Sequence, residues 1–304
     1  MTIRMLTKIK KGLKNPSMVF SKIYHAILMA LVKDDETYVK WDYLWGMGHF
    51  PDLENPRTYN EKLCWLKIHA RKPEYTKLVD KYDAKEYVKG IIGEKYIIPS
   101  YGVWDNFEDI DFDSLPNQFV LKTTHDSGWI IICKDKSSFD KEAARKRVVA
   151  SMKHNLYSYH REYPYKDLKP RIIIEKLMEE EGGHSLKDYK FFCFDGEVKM
   201  LFIATDRPVD TRFDFFDRDF NHLPFKQGHP LASKPINKPE GFEEMITIAE
   251  KLSKGIPHVR VDLYNINGKI YFGELTFFHF GGTVPFKPGE WDYKIGEWLN
   301  LPKE

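Results

Sequence analysis

The sequence predicts an α/β chain of the α+β kind, with two mixed lobes of sheet and helix behind a helical N-terminal region. Three observations predict it. Up to about residue 95 apolar residues recur at helical spacing; from Tyr96 they gather into short Ile-, Val- and Phe-rich runs separated by turns; and two later runs fold back on themselves as hairpins.

The first 32 residues stand apart. Arg4, Lys8, Lys10, Lys11, Lys14 and Lys22 occur with no acidic residue before Asp34, and an apolar run from Ile23 to Val32, containing His25, follows. That run is short of the roughly 20 residues a membrane span needs. Lys33-Asp34-Asp35-Glu36 stands where a signal peptide would carry small residues for cleavage. Residues 1–40 therefore read as a basic amphipathic helix, which either lies on an anionic membrane surface or packs on the rest of the chain with its lysines in water. Residues 41–95 read as a helical lead-in: Tyr59 to Ala70 sets Leu63, Leu66 and Ile68 with Trp65 on an apolar stripe, and Pro73 to Lys89 continues in that style.

A small lobe over 96–178 follows, with the runs YIIPSYGVW and FVLKTTHDSGWIIICKD, a helix from Phe139 to about Asn155, and the strand RIIIEKLM. The polar stretch Glu179 to His184, with Gly182-Gly183, opens a second lobe over 179–304. Its first hairpin, YKFFCFDGEVKMLFIATD, turns at Asp195-Gly196; a helix, GFEEMITIAEKLSKG, and a second hairpin, HVRVDLYNINGKIYFGELTFF, complete it.

Composition excludes several classes. The 304 residues are 42% apolar and 15% aromatic, with 30% charge of nearly balanced sign, which describes a folded soluble protein. A net charge of +2, without zinc-finger, helix-turn-helix or RNA-recognition spacing, argues against a nucleic-acid partner. Cys64, Cys133 and Cys193 are odd in number and far apart, so they read as buried thiols in a reducing compartment. No HExxH pair or Cys/His cluster marks a zinc site.

Chemistry is suggested where charge interrupts apolar strands. Lys122 lies on a strand face with Val120, and the turn after it, Thr123-Thr124-His125-Asp126-Ser127-Gly128, offers hydroxyls and an unobstructed glycine amide for phosphate oxygens. Alone, this is equally an edge lysine before an ordinary hairpin. Lys190 repeats the pattern with Phe192 and Phe194; it either meets an anion in a cleft between lobes or snorkels at its strand end. In HVRVDLY the apolar Val259, Val261 and Leu263 share one face, leaving Arg260 and Asp262 on the other. A three-residue turn, Ile266-Asn267-Gly268, puts Glu274 opposite Arg260 on the face of Asp262, whereas a two-residue Asn267-Gly268 turn points it away. In the first register Asp262, Glu274 and the Thr276 hydroxyl supply hard oxygen ligands for Mg²⁺ beside Arg260; otherwise the hairpin carries a cross-strand ion pair.

Taken together, the Lys122–Gly128 segment, IIIEKLM, DYKFFCFDGEVK and RVDLYNINGKIYFGELT resemble the ATP-grasp superfamily. Within it the chain is similar to the TupA-like group of teichuronopeptide biosynthesis, found among capsule and cell-wall polysaccharide genes. The likeness runs from about Trp41 to the C-terminus and includes NPRTYNEKLCWLK and LVDKYDAKEYV. The basic N-terminal helix lies outside it.

The resemblance implies an ATP-grasp fold, two α+β lobes clasping ATP. It gives Lys122 the nucleotide phosphates, with Thr124, His125, Ser127 and Gly128 in a flexible lid over them. It gives Glu175, Lys176 and Leu177 the adenine edge, largely through backbone, and Asp188 the ribose. Lys190 takes phosphate, Asp262 and Glu274 hold Mg²⁺, and Arg260 steadies the acyl-phosphate and tetrahedral steps. Many members carry asparagine where this chain has Thr276, whose hydroxyl offers one oxygen. The implied activity is a carboxylate-amine ligation at the expense of ATP, attaching an amino acid to a uronic acid or similar group of a surface polysaccharide. The implied setting is cytoplasmic, at the inner face of the membrane, with residues 1–32 touching it and a glycan or lipid-linked glycan as partner. An ATP-grasp sugar kinase, a capsule glycosyltransferase and a glycan-binding module are the rivals. Asp217-Arg218-Asp219 matches the transferase DxD motif by letters but sits in the aromatic, turn-like FDFFDRDF.

Overall fold

A computed structural model of the chain describes residues 16–179, 186–206 and 210–303. Arg4, Lys8, Lys10, Lys11, Lys14 and the Gly182-Gly183 pair lie outside the described residues. The fold is mixed α+β with antiparallel sheets, as the sequence predicts.

The smaller sheet takes β1 (Ser100–Trp104), β2 (Phe119–Thr123), β3 (Ile131–Cys133) and β4 (Ile172–Glu175) in the order β1-β4-β2-β3. Its apolar side, with Phe119, Leu121, Ile172 and Ile174, packs on Ala144 and Val148 of the helix Lys141–Met152. The larger sheet holds β5 (Asp188–Phe194), β6 (Glu197–Thr205) and β7 (Arg212–Asp217), and, after the short β8 (Lys226–Gln227), β9 (His258–Ile266) and β10 (Lys269–Thr276); its order is β10-β9-β5-β6-β7. A last strand, β11 (Phe286–Lys287), pairs with β8. β5 and β6 turn at Asp195-Gly196 with φ of 50° and 84°, the left-handed pair that a two-residue hairpin requires.

β5 is central and buried along its whole length, which explains its near-continuous apolar run. The helix Phe242–Ser253 covers one side of this sheet with Phe242, Met245, Ile248, Ala249 and Leu252. The helices of the lead-in bury their apolar residues in the same core: Val39, Tyr43, Tyr59, Leu63 and Val88 belong to it. The helix Tyr59–His69 starts on a capping box in which Thr58 and Glu61 exchange side-chain-to-backbone bonds of 3.1 and 3.0 Å, a device that stabilises a helix start by about 1 kcal/mol. The C-terminal helix Glu290–Trp298 crosses there so closely that a Cβ on Gly296 would lie 2.3 Å from the Arg57 carbonyl oxygen. Cys64, Cys133 and Cys193 are buried and free, matching their reading as buried thiols.

Candidate functional site

The site is built on the β9–β10 hairpin, whose turn has two residues. Ile266 pairs with Lys269, and Asn267 and Gly268 take φ of 52° and 76°. This is the register in which Glu274 should face away from Asp262. It does not, because Gly273 is an extra residue in β10: the register shifts between Phe272 and Glu274, so Glu274 pairs with Asp262 and Thr276 with Arg260. The expected position of Glu274 opposite Arg260 is thereby corrected by two residues along β9, to Asp262. Only glycine suits the bulge without a shift of its neighbours, since a Cβ there would stand 3.0 Å from the Asp262 carbonyl oxygen.

Around that pair lies a dense ion network on β5, β9 and β10. Arg260 donates through Nε to Asp262 Oδ1 at 2.7 Å and through Nη2 to Oδ2 at 2.8 Å, the bidentate fork its planar head favours. Nη2 also reaches the Thr276 hydroxyl at 3.0 Å and Glu274 Oε1 at 3.4 Å. Lys190, opposite Asp262 on β5, donates to the same Oδ2, and Asp188 Oδ2 lies 3.7 Å from its Nζ. Lys190 thus meets two carboxylates of its own sheet rather than snorkelling away. Asp188, Lys190, Arg260 and Asp262 are all buried, whereas the Glu274 side chain stays 39% exposed. Burial would raise the Glu274 carboxyl, but Lys190, Lys81 and Arg260 outweigh it and hold it down at about 2. An ionised, half-open carboxylate next to Asp262 and a hydroxyl is a hard-oxygen donor set, the kind Mg²⁺ takes.

Arg260 is fixed from behind. Its Nη1 donates to His279 Nδ1 at 2.7 Å, His279 Nε2 donates to Gln227 Oε1 at 3.0 Å, and Gln227 Nε2 donates to the Val284 carbonyl at 2.9 Å. Burial, then the positive Arg260, push His279 well below its ordinary range, so it stays a neutral acceptor for the guanidinium.

On the smaller sheet Lys122 is bonded to Glu175 at 2.6 Å, and the same carboxylate takes Lys85 at 2.6 Å. Burial opposes the Glu175 charge, but Lys122 and Lys85 win and lower its pKa. The side chain of Glu175 thus joins Lys122 to Lys85. The Lys176 amide donates to the Pro99 carbonyl at 2.9 Å, which occupies one backbone donor of the expected adenine hinge; Leu177 follows, half-buried.

The segment expected as a lid, Thr123–Gly128, is buried over most of its length. Thr124, His125 and Asp126 are buried. Asp126 accepts from the Ser127 amide at 2.8 Å, Trp129 Nε1 at 2.8 Å, the Ser151 hydroxyl at 2.6 Å and His154 Nδ1 at 3.1 Å. His125 Nε2 donates to the Ser151 and His154 carbonyls, both at 3.1 Å, so its ring closes the C-terminal end of the helix Lys141–Met152. This network pins the first half of the turn, and Ser127 and Gly128 are its exposed part.

The model of a protein family, TupA-like ATPgrasp, matches residues 61–300. The chain belongs to the TupA-like ATP-grasp family. Similar solved structures are the ATP-grasp ligase PsnB complexed with minimal precursor (11% identity, 67% of this chain and 53% of that chain, TM-score 0.39), the D-alanine–D-alanine ligase from Bacillus anthracis complexed with ATP (16%, 66% and 53%, 0.37) and the N5-carboxyaminoimidazole ribonucleotide synthetase from Thermus thermophilus (10%, 66% and 45%, 0.38). The chain spans about half the length of these structures. No curated protein matches it in sequence.

In this ATP-grasp chain the lead-in supplies site residues that the sequence reading missed. Lys85, from the helix Asp83–Ile92, completes the Glu175 pair. Lys81 donates from its Nζ to the Asp126 carbonyl, and its own amide donates to the Thr124 carbonyl at 3.0 Å. Burial lowers the Lys81 pKa, while Glu274 is its strongest stabilising charge and Lys122 its nearest rival. Lys81 is thereby tied to the turn after β2 at both ends. The LVDKYDAKEYV segment carried these lysines into the family resemblance, but nothing in its spacing distinguishes them from solvated helix lysines.

Proposed function

We propose that the chain is a MgATP-dependent carboxylate-amine ligase. The substrate carboxylate attacks the γ-phosphorus of ATP, ADP leaves, and an acyl phosphate forms; an amine then adds to the acyl carbon and inorganic phosphate departs, leaving the amide. Lys122, with Ser127 and Gly128, takes the nucleotide phosphates, joined by Lys81, and Lys190 neutralises charge from the larger sheet. Asp262 and Glu274 hold Mg²⁺, with the Thr276 hydroxyl beside them; the ion, when bound, draws phosphate negative charge away from the attacking carboxylate. Arg260 steadies the oxyanion of the acyl steps, and its fixed orientation lets it do so without reorganisation. Leu177 and the neighbouring backbone meet the adenine edge, and Asp188 the ribose. The lobes proposed to clasp ATP are 96–178 and 179–304.

The observation that carries this reading is Glu274 opposite Asp262, with Lys190 and Arg260 both bonded to the Asp262 carboxylate and Arg260 reaching Glu274. Family character adds a substrate class: an amino acid joined to a uronic acid or similar group of a capsular or other cell-surface polysaccharide, in the cytoplasm, at the inner face of the membrane.

Hydroxylamine tests the chemistry. With ATP, a uronic acid and no amine, an acyl phosphate is intercepted as a hydroxamate. A hydroxamate together with ADP supports the ligase. ADP with a stable phosphorylated sugar, formed equally without hydroxylamine, would establish the sugar kinase instead.

A further inference from the structure

The helix Pro16–Leu31 packs on its neighbours through Leu28 and its polar groups and shows a stripe of apolar side chains to solvent. Inward, Leu28 is buried, Tyr24 donates its hydroxyl to the Trp41 carbonyl at 2.7 Å, and His25 bonds the buried Asp42 at 2.9 Å. His160 takes the other oxygen of Asp42 at 2.8 Å. Because His25 Nδ1 already donates to the Ser21 carbonyl at 2.8 Å, its Nε2 can meet ionised Asp42 only as a second donor, so His25 is an imidazolium in this clasp. Outward, Val19, Phe20, Ile23, Ile27 and Leu31 recur at helical spacing, and Phe20 and Leu31 are 65% and 76% exposed.

The stripe continues beyond this helix. Trp45, on the helix Asp35–Met47, stacks on Tyr24 with ring centroids 4.4 Å apart, and Trp41 meets Phe50 edge-on at 5.2 Å. All three of Trp41, Trp45 and Phe50 are exposed. A row of aliphatic side chains bordered by exposed tryptophans on two elements is larger than scattered surface apolar residues explain. Its charge surroundings decide the occupant. Arg4, Lys8, Lys10, Lys11, Lys14 and Lys22 precede or lie on the helix with no acidic residue before Asp34. Apolar insertion, interfacial indole rings and clustered lysines together match the hydrocarbon edge, the headgroup layer and the negative charge of an anionic bilayer. Among the described residues no helix is long and apolar enough to cross a membrane, so contact here is with one surface.

We propose that Val19, Phe20, Ile23, Ile27 and Leu31, with Trp41, Trp45 and Phe50, form a docking surface for anionic lipid. This deepens the membrane part of the proposed function and rests on it for its purpose: the ligase would work on an acceptor held at the bilayer. The surface is also linked to the site. His160, on the far oxygen of Asp42, packs against Gly281, where a Cβ would lie 2.8 Å from its ring, and Gly281 belongs to the turn after β10.

The full chain is sedimented with vesicles of phosphatidylcholine alone and of phosphatidylcholine mixed with phosphatidylglycerol, and ATP binding is measured on the same preparations. The expected result is partitioning onto the anionic vesicles only, reduced about tenfold or more by Phe20→Asp with Ile27→Asp and weakened by Lys10→Glu, Lys11→Glu and Lys14→Glu, with ATP binding unchanged in every variant. No sedimentation with anionic vesicles, or equal sedimentation with neutral ones, overturns the proposal. So does a wild-type dimer that the Phe20→Asp, Ile27→Asp variant dissolves, which would make a second copy of the chain the occupant. Loss of ATP binding alone would strike the ligase reading and leave the surface standing.

Discussion

Glu274 stands directly opposite Asp262 although the hairpin joining their strands closes on two residues, and the single extra residue Gly273 makes the two facts compatible. A regular ladder on that turn would place Gly273 opposite Asp262 and turn Glu274 to the other face. The bulge therefore sets Asp262 and Glu274 opposite one another, the pair proposed above to hold Mg²⁺.

Gly273→Val should disturb this pair. The added side chain meets the Asp262 carbonyl oxygen at 3.0 Å and the Tyr264 ring at 3.2 Å, so the strands must part or the bulge must migrate. The expected cost is about 1–3 kcal/mol of stability, with magnesium-dependent nucleotide binding falling by more than tenfold in protein that is still folded. Binding titrations over magnesium concentration, alongside thermal melts, separate the two effects.

His279 acts through Arg260. Removing its ring by His279→Ala leaves Arg260 Nη1 without its acceptor in a buried setting and frees the guanidinium to turn. We expect kcat to fall about tenfold or more with the KM for ATP nearly unchanged, because Arg260 is proposed to act at the acyl centre and not at the nucleotide. A residue that merely filled space would change stability and leave the split between kcat and KM alone.

Asp292 gives a pH signature with a definite sign. It accepts from the Asn60 amide at 3.0 Å and from Asn60 Nδ2 at 2.9 Å, but burial dominates and raises its pKa to about 6. An unfolded aspartate titrates near 3.9, so the native state binds the extra proton between the two values. This site's contribution to stability therefore grows as pH falls from above 6 towards about 4. Asp292→Asn should remove that component. The difference in melting temperature between wild type and variant is expected to shift in favour of wild type over this window, and to be flat outside it.

The sequence made the strands legible wherever local chemistry decides them. Asp195-Gly196 and Asn267-Gly268 marked both hairpins, and IIIE marked the central run of β4. Charged residues on apolar strands pointed to Lys122, Lys190, Arg260, Asp262 and Glu274, all of which meet ion-pair partners. The bulge had one signal, an isolated glycine inside a strand, which suggests a bulge without fixing its register. Lys81 and Lys85 had none: Lys85 finds Glu175 across 90 positions of chain, and a helix lysine is ordinarily solvated. The turn after β2 looked free because its residues are polar. Asp126 binds four donors drawn from the turn and from the segment 151–154, a long-range satisfaction that no local pattern announces.

The most direct test is calorimetric titration of MgATP into wild type, Glu274→Gln and the double variant Asp262→Asn with Glu274→Gln, with UDP-sugars as the control ligand. The account predicts magnesium-dependent ATP binding to wild type, weakened in the single variant, lost in the double, and no UDP-sugar binding to any of them. ATP binding that survives both substitutions, or UDP-sugar binding in its place, would contradict the site and the ligase built upon it.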